Sequence, residues 1–392
     1  MSAPLLLDLS HTAHTRARTG IQRVARALHA ALGDGAVAIT HDPHRHAWRT
    51  LEPWERANFS AATAGGKRGA QWPLVARLRG RSARWLGRAA PALPKNSGLL
   101  VPEVFSRGVA LALPALFAAT RGPRVAVFHD AIALQFPELS PAKTVARFPG
   151  YLRELLAFDG IAANSATSRE TLLDYWRWLG VKDAPPVVAI PLGVDPPAPD
   201  SPQLSTPSSQ PPTVLCVGSL EARKNHLALL EASERLWSRG VRFELRLVGM
   251  AQSETGRAAL ARVRALQAAG RPLRYDGPLA ETAVGDAYAA CAFTVYPSLV
   301  EGFGLPVIES LAHGKPCICS ARGALGESAR GGGCVALDEV DAASLASAIE
   351  RLVAAPGEVT ALAAAARART FRTWAGYAAE LRAWLRTLPR RN

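Results

Sequence analysis

From residue 213 onward the chain alternates short apolar runs with longer amphipathic ones, and this alternation constrains its fold more than any other feature. TVLCVGS (213–219), ELRLVG (244–249), LRYDG (273–277), FTVYPS (293–298), PCICS (316–320) and GCVAL (333–337) read as strands. Helical patterns run over Asn225–Arg239, Ser253–Ala269 and Glu281–Ala290. Strands separated by helices predict a parallel sheet covered on both faces. The first half carries the same signal. Strands are read at Pro4–Ser10, 36–40, Gly98–Phe105, Arg124–Asp130, Gly160–Ser165 and Val187–Asp195. A helix opens at Gly20 (GIQRVARALHAAL), and another follows in SATSRETLLDYWRWL, capped by either Ser165 or Thr167, with Glu170 completing a capping box to Thr167.

Between the halves, residues 196–212 hold seven prolines, a composition that builds no core and reads as a linker. The expected organisation is therefore α/β: residues 1–195, a linker, residues 213–370 and a C-terminal amphipathic helix over 371–392 that crosses back to the first domain. A length of 392 residues agrees with two domains. Ligands of paired α/β units are expected in the cleft between them.

Charge narrows the partners. The net charge of +14 favours nucleic acid, an anionic membrane or phosphorylated substrates. No nucleic-acid motif accompanies it, and nucleic acid is not expected. The region of about 41–97 reads as a basic insertion, and residues 56–102 contain no acidic residue. Lys67–Lys95 carries eight Lys or Arg. On a helix, Trp72, Leu74, Val75, Leu78, Trp85 and Leu86 fall largely on one face and Arg77, Arg81, Arg84 and Arg88 on another. That pattern suits an anionic membrane surface or an ordinary solvated helix, and both readings stand. The longest apolar stretch, Val109–Ala119, is too short for a membrane span and contains Pro114. The N-terminus lacks a basic n-region, so no signal peptide is expected. Five cysteines without a CxxC pair fit a reducing compartment. The expected location is cytoplasmic, with peripheral attachment at the inner membrane face if the basic helix serves there.

Two stretches carry chemistry. In EGFGLPVIE, Glu301 stands on a loop and Glu309 about two turns into a helix that Pro306 can begin. Gly302 and Gly304 permit tight turns and close ligand approach. Backbone N–H groups at the helix start make an anion site. Glu309, among apolar residues, is expected to be buried and to need partners. In VGSLEARKNH, Gly218 makes the turn after a strand, and Arg223, Lys224 and Asn225 stand where the next helix begins, a place suited to a diphosphate. His41, Asp42, His44 and His46 cluster tightly and read as a polar loop or a metal site. Cys317 and Cys319 alternate as small core or face residues.

These stretches resemble the E-x7-E block of retaining nucleotide-sugar glycosyltransferases with the GT-B fold, in particular glycosyltransferase family 4. VGSLEARKN, ELRLVGM, DGPL and YPSLVEGFGLPVIESLAHGKPCICS occur in the family's order, as do TGIQR, FHD, AANSATSRE and PLGVD in the first half. The resemblance implies two Rossmann-like domains facing a central cleft. It implies that Glu309 binds the donor ribose and that Glu301 holds the donor sugar. The N–H groups of Phe303, Gly304 and Leu305 would meet the β-phosphate, and Lys224 would neutralise the departing diphosphate. His129 would lie near the donor sugar, Gly20 near the diphosphate or acceptor, and Arg23 would contact acceptor or phosphate. Asp130 either orients His129 or caps a turn.

One position departs from the family: Ser219 stands where many members carry an arginine, and Arg223 is the candidate replacement. EARKN resembles members that build bacterial surface polysaccharides, which implies a hexose donor, mannose from GDP-mannose foremost and a UDP-sugar next. The acceptor would be a glycan or lipid-linked glycan. No D-x-D sequence is present, so positive side chains are expected in place of a metal, and no cofactor is expected. Competing readings are a glycoside hydrolase with Glu301 and Glu309 as acid and base, and a non-catalytic sugar- or polyanion-binding protein. The absence of G-x-G-x-x-G after the first strand argues against a dinucleotide enzyme.

Overall fold

The computed structural model describes residues 3–60, 69–195 and 211–390. Contacts divide the chain into two compact units. The first comprises Met1–Ala131, Ala146–Leu192 and Trp374–Asn392, and the second Ile132–Val145 and Gly193–Thr373. The expected linker lies outside the described residues except for Pro211 and Pro212.

The first unit holds a seven-stranded sheet of β1 (Leu5–Asp8), β2 (Ala36–Asp42), β3 (Ala47–Thr50), β4 (Leu99–Val101), β5 (Arg124–Phe128), β6 (Gly160–Ala163) and β7 (Val187–Ala189). Their order is β3-β2-β1-β4-β5-β6-β7, and β3 alone runs antiparallel to its neighbour. β1, β4, β5 and β6 are buried throughout, as strands covered on both faces must be. Helix Gly20–Leu32 packs against helix Trp374–Thr387. A Cβ at Gly160 would sit 2.7 Å from the Trp384 ring, so the C-terminal helix approaches β6 closely there.

Several expectations are corrected. The Gly98–Phe105 strand stops at Val101 because Pro102 has no N–H to continue the ladder. The 36–40 strand extends to Asp42, where it turns into the unforeseen β3. Ser165 is the cap of helix Ala166–Trp178, accepting from the Ser168 N–H at 3.0 Å. Thr167 lies inside that helix, so the Thr167–Glu170 box does not form the cap. A capping box that sequence reading missed joins Thr19 and Gln22 ahead of Gly20. Trp72 precedes helix Leu74–Trp85 and stacks on His14 at 4.1 Å, so it is not part of the helix's apolar face. Among the described residues no helix is long and apolar enough to cross a membrane.

The second unit holds a fully parallel sheet of β8 (Thr213–Val217), β9 (Glu244–Val248), β10 (Leu273–Tyr275), β11 (Phe293–Tyr296), β12 (Cys317–Ser320) and β13 (Cys334–Leu337). The order is β10-β9-β8-β11-β12-β13, the doubly wound arrangement in which the strand sequence reverses beside the first strand. Val214, Cys216, Leu245, Leu247, Phe293, Val295 and Ile318 form one core face with Leu229, Leu236, Leu345 and Ile349. Cys317 and Cys319 point to the other face, packing with Tyr296, Val307 and Leu311, which is the alternation a strand demands.

Candidate functional site

In a doubly wound sheet the connections diverge where the strand order reverses, leaving a crevice at the carboxyl ends of the two strands. In the second unit those strands are β8 and β11. After β8 the chain passes Gly218 and Ser219, makes a single 3-10 turn over Ala222–Lys224, and turns through left-handed Asn225 (φ 54°) into helix His226–Ser238. Asn is among the few residues that tolerate that conformation, and its side chain is anchored on the Val340 carbonyl at 2.6 Å. Gly218 has an ordinary φ; the left-handed turn residue is Asn225.

After β11 the loop beginning at Pro297 is stitched to this turn. The Leu299 N–H donates to the Arg223 carbonyl at 2.9 Å, and the Ser298 hydroxyl donates to the same oxygen at 3.3 Å. The stitching brings Glu301 against both cations. Glu301 Oε2 lies 2.6 Å from Arg223 Nη1, and Oε1 lies 2.5 Å from Lys224 Nζ. Tyr296 joins them: its hydroxyl donates to Glu301 Oε1 at 2.9 Å and accepts from the Lys224 ammonium, which also sits 4.5 Å from the centre of its ring. Sequence reading missed Tyr296, because its place beside the lysine-bearing loop follows from strand order and not from local pattern.

Burial alone would raise the Glu301 pKa, but the charges of Arg223 and Lys224 overcome it and hold the carboxyl at about 2. Burial lowers the Lys224 pKa, and the Glu301 charge counters it. Burial and the neighbouring Glu301 charge push the Tyr296 phenol well above its ordinary value, so it stays a neutral hydrogen-bond bridge. Ser219, where the resemblance implied an arginine, donates to Glu221 Oε1 at 2.9 Å, and Arg223 donates to the same oxygen at 3.1 Å. Arg223 therefore brings a guanidinium to this turn, braced by Glu221 and Glu301.

Gly304 begins helix Leu305–Ala312 with φ 97°, a conformation that disfavours side chains, and a Cβ there would meet Leu325 at 2.8 Å. Among the described residues, the N–H groups of Phe303, Gly304 and Leu305 have no hydrogen-bond partner. Those of Gly304 and Leu305 are orphan donors of a helix start, with the positive end of its dipole behind them, and that of Phe303 lies just ahead of the cap. Glu309 is buried as expected, and Tyr288 donates to its Oε2 at 3.2 Å. His313 stacks on Tyr288 with ring centres 4.9 Å apart. Neither aromatic was foreseen.

His129, Gly20 and Arg23 belong to the first unit. His129, just past β5, is buried. Its Nε2–H donates to the Pro102 carbonyl at 2.7 Å, and its Nδ1 accepts from the Asn164 amide at 2.9 Å. Burial lowers its pKa. With both ring nitrogens engaged, the imidazole is not arranged for proton transfer. Pro102 and Asn164 orient it, while Asp130 acts on it as a nearby charge. Asn164 Oδ1 is a buried acceptor without a partner among the described residues. Gly20 opens its helix in the open: a Cβ there would meet nothing within 4 Å. Arg23 lies half-buried in the first turn. Glu103 shapes the loop ahead of Gly20, accepting from the His11 and Thr12 N–H groups at 2.9 and 2.8 Å. Burial, with the Glu103 charge next, pushes the Asp8 carboxyl up to about 7.

The His41–His46 cluster serves the β2–β3 turn. Asp42 Oδ1 accepts from the His44 and Arg45 N–H groups at 2.9 and 3.0 Å, and Arg49 donates to Oδ2 at 3.2 Å. Among the described residues no group of three or more His, Cys, Asp or Glu could hold a metal ion.

Comparison with solved structures identifies the fold as that of GT-B glycosyltransferases. Sucrose-phosphate synthase from Thermosynechococcus elongatus superposes with a TM-score of 0.67 at 19% identity, over 98% of each chain. Anabaena HepE, solved with UDP and glucose, gives 0.68 at 16% identity over 98% of this chain and all of the other. In sequence, residues 211–355 match the family described as "Glycosyl transferases group 1" and constitute a domain of that kind. The chain is also 26% identical over 334 residues to the serotype-specific mannosyltransferase WbdA of Escherichia coli. That match covers 80% of this chain and 38% of the relative's length.

Proposed function

We propose that the chain is a retaining, metal-independent glycosyltransferase that moves mannose from GDP-mannose to a glycan or lipid-linked glycan during surface polysaccharide synthesis. The observation that carries the reading is the pairing of Arg223 and Lys224 with Glu301 in the group 1 domain, two residues ahead of Phe303, Gly304 and Leu305, whose N–H groups have no partner among the described residues. Fixed donors and cations of this kind stabilise charge that develops on a departing diphosphate. Lys224 and Arg223 take the role a metal has elsewhere. Glu309 holds the ribose, with Tyr288 fixing its carboxylate, and Glu301 stands beside the donor sugar. Gly218 and Ser219 line the diphosphate, and a Cβ at Gly218 would reach Tyr296 and Lys224 only at ordinary contact distance. His129, Gly20 and Arg23 serve the sugar and acceptor side. Substitution proceeds on the leaving-group face through an ion-pair-like state, which retains the anomeric configuration.

Mannose rests on the similarity to WbdA, a mannosyltransferase by name. The complex of HepE with UDP makes UDP-sugars the alternative donors. A hydrolase using Glu301 as its acid is disfavoured, because a carboxyl held at about 2 carries no proton to donate near neutrality. The test is a transfer assay with GDP-mannose, UDP-glucose and UDP-N-acetylglucosamine, with and without EDTA, and the anomer of the product read by NMR. Mannosyl transfer that survives EDTA and gives the α-linkage of an α-configured donor is expected. Inversion, loss with EDTA, or transfer from UDP-sugars alone would each remove the corresponding part of the proposal.

A further inference from the structure

Helix Leu74–Trp85 sits on the first unit in an unusual way. At about 100° per residue, its buried residues Ala76 and Gly80 form one narrow face. A Cβ at Gly80 would meet the His44 Cβ at 2.8 Å, so this face is seated tightly on the β2–β3 turn. Its large apolar residues point the opposite way. Leu74, Val75, Leu78 and Trp85, with Leu86 just beyond, are exposed by 65, 72, 55, 85 and 53%. Ordinary surface helices bury their apolar stripe and expose the polar one; this helix buries only Ala76 and Gly80 and leaves its large apolar residues exposed beside its arginines. Arg77, Arg81, Arg84 and Arg88 run along one flank of the exposed ridge, and all four are exposed. No acidic residue occurs anywhere in 56–102 to neutralise them.

We propose that the ridge Leu74–Leu86 is a membrane-docking surface: its apolar side chains enter the headgroup boundary of an anionic bilayer, and the arginine flank pairs with lipid phosphates. An apolar ridge bordered by one sign of charge matches the layered chemistry of such a surface, hydrocarbon beside anionic headgroups. A second copy of the chain is a poor occupant, because the net charge of +14 and the arginine flank would face their own likeness. The surface concerns placement of the protein and stands independently of the donor and reaction proposed above.

The test is flotation of the full chain with phosphatidylglycerol/phosphatidylcholine vesicles and with pure phosphatidylcholine vesicles. Binding to the anionic vesicles is expected to exceed binding to neutral ones by about tenfold or more and to fall with salt. Leu78→Ser with Trp85→Ser should abolish flotation. Arg77→Gln, Arg81→Gln and Arg84→Gln should each weaken it by about fivefold. Native tryptophan emission should shift to the blue on anionic vesicles, and Trp85→Phe should remove most of that shift. These side chains are exposed, so circular dichroism and nucleotide binding should stay unchanged. Equal binding to neutral vesicles, or flotation that survives the Leu78/Trp85 change, overturns the proposal. So does binding to polyglutamate that the Leu78/Trp85 change leaves intact, which would assign the flank to an acidic peptide. Self-association in sedimentation velocity that disappears in the Leu78/Trp85 variant would assign the ridge to a second copy and also overturn it.

Discussion

Lys224 Nζ and Glu301 Oε1 lie 2.5 Å apart, each on the loop that follows one of two adjacent parallel strands. The Tyr296 hydroxyl closes a triangle with them. The lysine ammonium is thus held in place by protein partners, and a preorganised cation needs no rearrangement when negative charge develops beside it.

Lys224→Ala should reduce kcat for sugar transfer by about 100-fold or more, the scale seen when a fixed charge-stabilising donor is removed. Steady-state kinetics with GDP-mannose measure it, with circular dichroism as the check on folding. Turnover within a few-fold of the native value would remove Lys224 from the chemistry.

Tyr296→Phe keeps the ring and the cation–π contact and deletes only the bridging hydroxyl. Transfer should fall by about tenfold, and stability should drop by about 1–2 kcal/mol as a buried hydrogen-bonding network loses one member. Lys224→Ala combined with Tyr296→Phe should be far less than multiplicative, because both act through one cluster. Full multiplicativity would argue against the coupling.

On the proposed ribose role, Glu309→Ala should raise the Kd for the nucleoside diphosphate by at least about tenfold, since a ribose hydroxyl would lose its charged acceptor. Tyr288→Phe should raise it by less, because only the orientation of the carboxylate is loosened. Isothermal titration with GDP reads both. Unchanged affinity in Glu309→Ala would falsify the ribose assignment.

The pH dependence of stability follows from Glu301. Its folded pKa, about 2, lies below the ordinary value of 4.5. A depressed carboxylate stabilises the fold fully above its unfolded pKa and loses that contribution as pH falls through its folded one. Urea midpoints should therefore decline from pH 4.5 towards 2, and Glu301→Gln should flatten part of the decline. Glu55, also held near 2 through His14 and Arg49 despite its burial, should account for another part, seen in Glu55→Gln. Superimposable native and Glu301→Gln curves would contradict the ion-pair geometry.

Much of the fold was legible because strands buried on both faces must be continuously apolar. That is how β5, β6, β8 and β11 stand out in the sequence. The boundaries were less legible. Pro102 ended β4 early, and the hairpin strand β3 has only four residues, too few for a period. Glu301, Glu309, Arg223 and Lys224 announced themselves through charge beside glycine and proline. Tyr296 and Tyr288 did not, because an aromatic in an apolar run reads as core until its hydroxyl finds a partner.

The basic helix shows the same division. Residue spacing separated an apolar face from an arginine face, but spacing cannot say which face meets the protein. The tight seat of Gly80 on His44 decided that, and it turned the apolar face outward.

By itself the sequence determined the alternation that makes two largely parallel sheets, and the EGFGLPVIE block that marks the candidate site. Both are local, since periodicity and turn chemistry act over a few residues. Only the tertiary structure decided that Arg223, Lys224, Tyr296 and Glu301 form one cluster, and that the ring nitrogens of His129 are taken up by Pro102 and Asn164. Those are contacts between segments at the ends of separate strands. They depend on strand order and register, which place the ends of β8 and β11 side by side across a long stretch of intervening chain.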